Sequence, residues 1–248
     1  MMMGKYLLAL ALCLFNLSVL AQVFDVPHAD EASTRTLFIS ASNPRALVVL
    51  FPGGGGMVGI FDNGSARSRH TFVRSMGLWA QYDIDAVLVD TPYDLGDLRR
   101  GNLRGREDHL TRVNEVIKFY QNKLHLPIWI FGHSMGTSTV TNYLNFSSSL
   151  VAQVKGGIIA GTIQTAMLND EVSVPILAIH HKDDACSGTP VSASESIIFN
   201  RPKKFISQLE IVDGGISQGN VCDSFAYHGF NQTEPELVKR AAQFILSH

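Results

Sequence analysis

Apolar residues fall along the chain in two alternating kinds of segment. Short runs at 46–51, 86–90, 128–131, 157–160, 176–180 and 205–212 are nearly continuous and rich in β-branched residues. That is the pattern of strands buried on both faces of a parallel sheet. A further piece, 36–40, reads as an edge strand. Between the runs lie amphipathic stretches. At 107–124 the residues Leu110, Val113, Ile117, Tyr120 and Leu124 recur at spacings of three and four, forming one apolar stripe. The stretch 137–146 carries Val140, Tyr143 and Leu144 in the same way, and 236–246 carries Leu237, Ala241, Phe244 and Ile245 just after Pro235, a helix-opening residue. This alternation over 22–248 predicts a single α/β domain, a mostly parallel sheet with helices on both faces. In such sheets the chemistry sits on loops leaving the carboxyl ends of the strands.

Composition narrows the function classes. The chain has 248 residues, 46% hydrophobic and 17% charged, enough for one large core and too apolar for a disordered protein. Twenty Lys+Arg against twenty-two Asp+Glu leave a net charge of -2, so no basic field exists to hold nucleic acid. Residues 1–21 have the layout of a secretory signal peptide: Lys5, an apolar run, then Val19-Leu20-Ala21 before Gln22. The run of about 15 residues is short of the roughly 20 that span a membrane, although an uncleaved anchor is the alternative. The expected location is secreted or periplasmic, with no integral membrane span in the mature chain. Cleavage removes Cys13 and leaves Cys186 and Cys222, most simply one disulfide in an exported protein, with two free thiols as the alternative. Closing that loop stabilises the fold by roughly 4 kcal/mol in the chain-entropy picture.

The sequence Gly132-His133-Ser134-Met135-Gly136 stands between a strand and a helix. A serine on so sharp a turn needs small residues two positions either side, and the helix N-terminus beneath it favours developing negative charge. Gly215-Ile216-Ser217-Gln218-Gly219 fits the same pattern, but no helix follows and too little chain remains for the rest of a triad. A serine hydroxyl needs a base, and the downstream histidines are His228 and the terminal His248. His228, in a loop before the last helix, is the better placed. The acid is expected after the strand at 176–180, where Asp183 and Asp184 stand; Asp184 is chosen for its turn position, with Asp183 as the alternative. Cys186 lies two residues past Asp184 and Cys222 six before His228, so a disulfide would tie the acid loop to the base loop.

Acyl transfer also needs backbone N–H donors at the developing oxyanion. Met135, after the serine, supplies one. The other is expected from Pro52-Gly53-Gly54-Gly55-Gly56, at Gly54 or next at Gly55.

Together these residues resemble the α/β-hydrolase superfamily: 132–136 its nucleophile elbow, Asp184 and His228 its acid and base, 52–56 its oxyanion loop. The resemblance covers most of the mature chain and implies the α/β-hydrolase fold, with about eight strands in a mostly parallel sheet. The chain departs from it at Pro52, where a histidine is common, and the short interval from 146 to 157 leaves room for a small cap or none. An open site fits short acyl esters or an extended polymer chain. The expected function is a serine hydrolase that cleaves a carboxylic ester or related acyl bond through an acyl-enzyme on Ser134, with no cofactor and no metal needed.

Rival readings are a binding protein on a hydrolase scaffold and a dinucleotide-binding oxidoreductase. The latter rests on Gly54-Gly55-Gly56-Met57-Val58-Gly59 and Asp90, but Asn63-Gly64 breaks the helix that should follow. A metal site from His180, His181, Asp183 and Asp184 is disfavoured because adjacent strand residues point to opposite faces. Arg99, Arg100, Arg104, Arg106 and His109 read as a solvated basic loop, with anion recognition as the alternative. Asn63, Asn145 and Asn231 head glycosylation sequons.

Overall fold

The computed structural model describes residues 21–29, 31–99, 102–146 and 154–248. The expected signal peptide, Cys13 included, lies outside the described residues apart from Ala21, as do Arg100 and Ser147, the third residue of the Asn145 sequon.

The layering follows from side-chain alternation. Every residue of β3 (Ala46–Phe51) is buried. Leu47, Val49 and Phe51 face one helical layer, while Val48 and Leu50 face the other. The other strands are β1 (Ala21–His28), β2 (Glu31–Ile39), β4 (Ile84–Asp90), β5 (Ile128–His133), β6 (Gly156–Ala160), β7 (Ile176–His181) and β8 (Ser207–Val212). They form an eight-stranded sheet ordered β1-β2-β4-β3-β5-β6-β7-β8. β2 pairs antiparallel with β1 and β4, and the remaining neighbours run parallel.

Helices α1 (Thr71–Ser75), α2 (Glu107–Leu124), α3 (Gly136–Phe146), α4 (Val191–Asn200) and α5 (Glu234–Ser247) cover the sheet. On one face Phe72, Trp79, Leu237, Ala241 and Phe244 pack against Val48, Leu88, Trp129 and Phe131. On the other, Val113, Ile117, Tyr120, Val140, Tyr143 and Ile197 pack against Val49, Val87, Ile130 and Ile159.

Two expectations change. Residues 36–39 belong to β2, which is flanked on both sides, and the strand at that edge of the sheet is β1. β1 escapes the hydrophobic pattern because only Val26 and His28 in it are buried. α4 escapes because its serines hide the helical period; Ser194 is buried with Ile197 and Ile198. The sequon at Asn231 is closed: Asn231 is buried and its Nδ2 donates to the carbonyls of Ile216 (3.2 Å) and Phe225 (2.9 Å). Among the described residues no helix is long and apolar enough to cross a membrane.

Phe131 is fully buried in β5, with ring contacts to Phe72 (4.8 Å) and Trp79 (6.2 Å). Phe131→Ala is expected to destabilise the fold by about 3–5 kcal/mol, read as a lower urea midpoint at unchanged slope.

Candidate active site

β5 runs into α3 through Ser134 and Met135, and Ser134 takes the left-handed conformation with φ of 53°. A non-glycine residue held there stores about 1–3 kcal/mol of backbone strain. Its surroundings hold it in place. The Ser134 N–H donates to the carbonyl of Ala160 on β6 (2.9 Å), and its own carbonyl accepts from the Thr137 N–H (2.9 Å) and hydroxyl (2.6 Å). The two flanking glycines are steric necessities. A Cβ on Gly132 would stand 2.2 Å from the Gly136 carbonyl oxygen, and one on Gly136 would stand 2.0 Å from that of Phe51. Ser217, in the second such motif, sits in an exposed loop with no helix after it.

The candidate acid and base arrive from separate loops. Asp184 follows β7, its N–H donating to the carbonyl of His181 (3.1 Å). Its Oδ2 accepts from His228 Nδ1 at 2.9 Å, with both side chains buried. That bond puts the proton on Nδ1 and leaves Nε2 as the acceptor nitrogen. Burial pushes the Asp184 carboxyl up, but the His228 bond and charge, the Cys186 N–H and His180 together hold it below the ordinary value. Asp183 is exposed and does not reach His228. The disulfide Cys186–Cys222 forms, with Cα atoms 4.8 Å apart, and links the two loops. Among the described residues the Ser134 hydroxyl has no hydrogen-bond partner, so no bond joins it to His228. The base loop is docked onto the elbow instead through His133, whose ring lies 4.9 Å from that of His228.

Two partners of Asp184 were not legible in the sequence. The buried Thr189 hydroxyl lies 3.2 Å from Asp184 Oδ2 and 3.1 Å from His228 Nδ1. His180, also buried, lies with Nε2 3.5 Å from Asp184 Oδ2, while its Nδ1 meets Ser194 Oγ at 3.0 Å. His181 points elsewhere, stacked on Tyr227 and bonded to the Gly214 carbonyl. Among the described residues no group of three or more His, Cys, Asp or Glu could hold a metal ion.

The glycine loop after β3 lies against the elbow: a Cβ on Gly53 would stand 2.8 Å from Ser134 Cβ. Gly54 takes a φ of 57°, which its lack of a side chain permits. Gly55 faces the Asp97 carboxylate. The N–H groups of Gly54, Gly55 and Met135 donate to no protein acceptor among the described residues, whereas the Gly53 N–H points at His70 Nε2 (3.0 Å). No dinucleotide helix opens here, since the next helix is the five-residue α1, and Asp90 is occupied by the N–H groups of Val58 (2.7 Å) and Ile60 (2.9 Å). Beside the loop lies an open cleft of about 640 Å³, lined by Met57, Val58, Arg67, Thr91, Pro92 and Tyr93 among others.

The basic stretch is not a solvated loop throughout. Arg99 pairs with Asp97 and Arg106 with Asp108, but Arg104 and His109 are buried. Arg104 donates to the carbonyls of Pro52 and Gly54, so it belongs to the glycine loop.

A pair of buried histidines lies behind Ser134. His133 Nε2 faces the main-chain carbonyl of His228 (2.8 Å), so it must carry the proton, and its unprotonated Nδ1 lies 3.0 Å from His70 Nε2, the nitrogen that the Gly53 N–H also approaches. His70 Nδ1 then accepts the Phe72 N–H (3.1 Å). Both rings are neutral: burial and neighbouring cations lower His70 to about 3, and burial with His228 and His70 takes His133 well below its ordinary value. His109 is lowered to about 3 by burial, with the charge of Arg104 adding to it. In the unfolded chain these rings take up protons near pH 6.5, and in the folded chain they do not. Stability is therefore expected to fall as pH drops from 6.5 towards 3, each such histidine adding a slope of up to about 1.4 kcal/mol per pH unit. Urea midpoints between pH 7 and 5 check this, and His70→Gln should flatten the slope.

No family model matches the chain, and no curated protein matches it in sequence. Solved structures do. A dienelactone hydrolase from Anabaena variabilis superposes with a TM-score of 0.65 at 14% identity, covering 92% of this chain and 98% of its own. A Pyrococcus furiosus esterase gives 0.65 at 10% identity, covering 93% of each chain. A lidless α/β serine hydrolase from Xanthomonas campestris gives 0.60 at 11% identity, covering 94% and 96%. The chain has the α/β-hydrolase fold.

Proposed function

We propose that the protein is a serine hydrolase cleaving carboxylic esters, secreted or periplasmic, and active without cofactor or metal. The observation that carries this reading is the buried Asp184–His228 pair at 2.9 Å on the same rim of the sheet as the left-handed Ser134. In this reading Ser134 Oγ attacks the acyl carbon while His228 Nε2 takes its proton. The carbonyl π pair moves to oxygen, where the N–H groups of Met135 and Gly54, with Gly55 adjacent, receive the negative charge. Collapse expels the alcohol, protonated by His228, and leaves an acyl-enzyme. Water, deprotonated by His228, adds to the acyl carbon; collapse then breaks the bond to Ser134 Oγ, which takes the proton back from His228 as the acid leaves. Asp184 keeps the proton on Nδ1 and stabilises the imidazolium.

The short interval from 146 to 157 leaves room for a small cap at most, which favours a small acyl ester or an extended polymer chain as substrate. The leader-like residues 1–21 and the Cys186–Cys222 disulfide support export. An intact but unused triad, as in a binding protein, is the rival reading.

A fluorophosphonate probe separates the two. Wild-type protein is expected to be labelled and Ser134→Ala is not; failure of both to react removes the hydrolase reading. Thr189→Val removes a hydrogen bond to a charged carboxylate, an interaction of about 1.5–3 kcal/mol. It is expected to lower kcat roughly tenfold or more for a short ester with KM nearly unchanged, since the change bears on the base and leaves the cleft alone.

A further inference from the structure

Arg104 stands out among the groups this mechanism does not use. It sits on a short 3-10 turn, Leu103–Gly105, and is only 2% exposed. Its Nη2 donates to the Pro52 carbonyl (3.1 Å) and the Gly54 carbonyl (2.8 Å), and its Nη1 to Thr139 Oγ1 (2.8 Å). Its Nε is buried with no partner among the described residues. Among the described residues no carboxylate forms an ion pair with it. Asp97, whose field it feels, is bound to Arg99, and His109, which shares the Thr139 hydroxyl, is neutral. A guanidinium buried without a counter-ion is costly to desolvate. A neutral amide could hold the same carbonyls with a smaller penalty, so bracing alone does not account for an arginine here.

The peptide geometry indicates what the charge acts on. In a trans peptide the C=O and N–H point opposite ways, and no peptide among the described residues is cis. Drawing the Pro52 and Gly54 carbonyls towards Arg104 turns the Gly53 and Gly55 N–H groups away from it, and the Gly53 N–H does meet His70 on the far side. The peptide between them carries the Gly54 N–H, and its carbonyl accepts from the Gly56 N–H (3.1 Å). All three peptide planes around the Gly54 amide are thereby fixed, with a positive charge behind them.

We propose that Arg104 is a positioning residue of the hydrolytic site. Its guanidinium fixes the peptide planes flanking the Gly54 amide, and its charge, held in no ion pair among the described residues, stabilises the anionic tetrahedral intermediate from behind the glycine loop. This rests on the serine hydrolase reading above. The role differs from that of a structural brace, because it depends on charge and is exerted on the transition state.

The test compares Arg104→Gln, which keeps donors but no charge, with Arg104→Lys, which keeps the charge. Measured quantities are kcat and KM for a short-chain 4-nitrophenyl ester and the inhibition constant of an alkyl boronic acid, whose serine adduct is tetrahedral and anionic. Arg104→Gln is expected to lower kcat roughly 10- to 100-fold with KM within about twofold, and to weaken the boronic acid by a similar factor. Arg104→Lys should retain more of both than the glutamine variant, even if both melt at the same temperature. Gln matching or exceeding Lys, or losses that track melting temperature alone, would overturn the inference. Wild-type protein that takes no fluorophosphonate at Ser134 would instead remove the parent reading, and this inference with it.

Discussion

The rest of the site depends on one backbone constraint, the left-handed turn at Ser134. The turn is so tight that a side chain on Gly132 would run into Gly136, and it lies so close over the end of β3 that one on Gly136 would run into Phe51. The bonds that hold it come from β6 and from the first turn of α3. The strain is therefore borne by a parallel core buried on both faces, and the hydroxyl is left projecting from a rigid rim. Four segments converge there: the loops that leave the carboxyl ends of β3, β5 and β7, and the one that precedes the last helix. The parallel order of the sheet is what brings them to one side.

Charge is handled in two opposite ways within a small volume. His70, His109 and His133 are buried as neutral rings, and two of them connect main-chain groups: His70 Nδ1 accepts the Phe72 N–H, His133 Nε2 donates to the His228 carbonyl, and the two rings meet between. Arg104 is buried as a cation and is compensated only by carbonyl and hydroxyl oxygens. The histidines join the base loop to α1 and the glycine loop, and the arginine works on the same glycine loop from its other side. The loop is thus gripped at both faces by groups remote from it in sequence.

Much of the core and part of the site were legible in the sequence. The strands 46–51 and 128–131 are continuous apolar runs because both faces are covered, and α2 keeps its stripe because one face is not. Ser134, Asp184 and His228 could be singled out as candidates, and Cys186 and Cys222 as a pair, because the proposed chemistry demands a residue type at a topological position. β1 was not, since an exposed antiparallel edge has little apolar content to reveal it. Arg104, His70, Thr189 and His180 were not, because each acts through a partner distant in the chain and has no motif of its own. Arg104 was misread outright: neighbouring arginines made it look like part of a solvated loop, and its burial is imposed by the packing of the short turn against α3.

The amide of Asn231 has a consequence for how the protein can be made. Its nitrogen is spent on two carbonyls that close the segment carrying His228. An oligosaccharide transferred to that nitrogen while the polypeptide is still emerging would take up the space and the donors the closure requires. A eukaryotic secretory host that decorates this acceptor should yield material unable to complete its last loop, whereas a bacterial host without such machinery would not meet the obstacle.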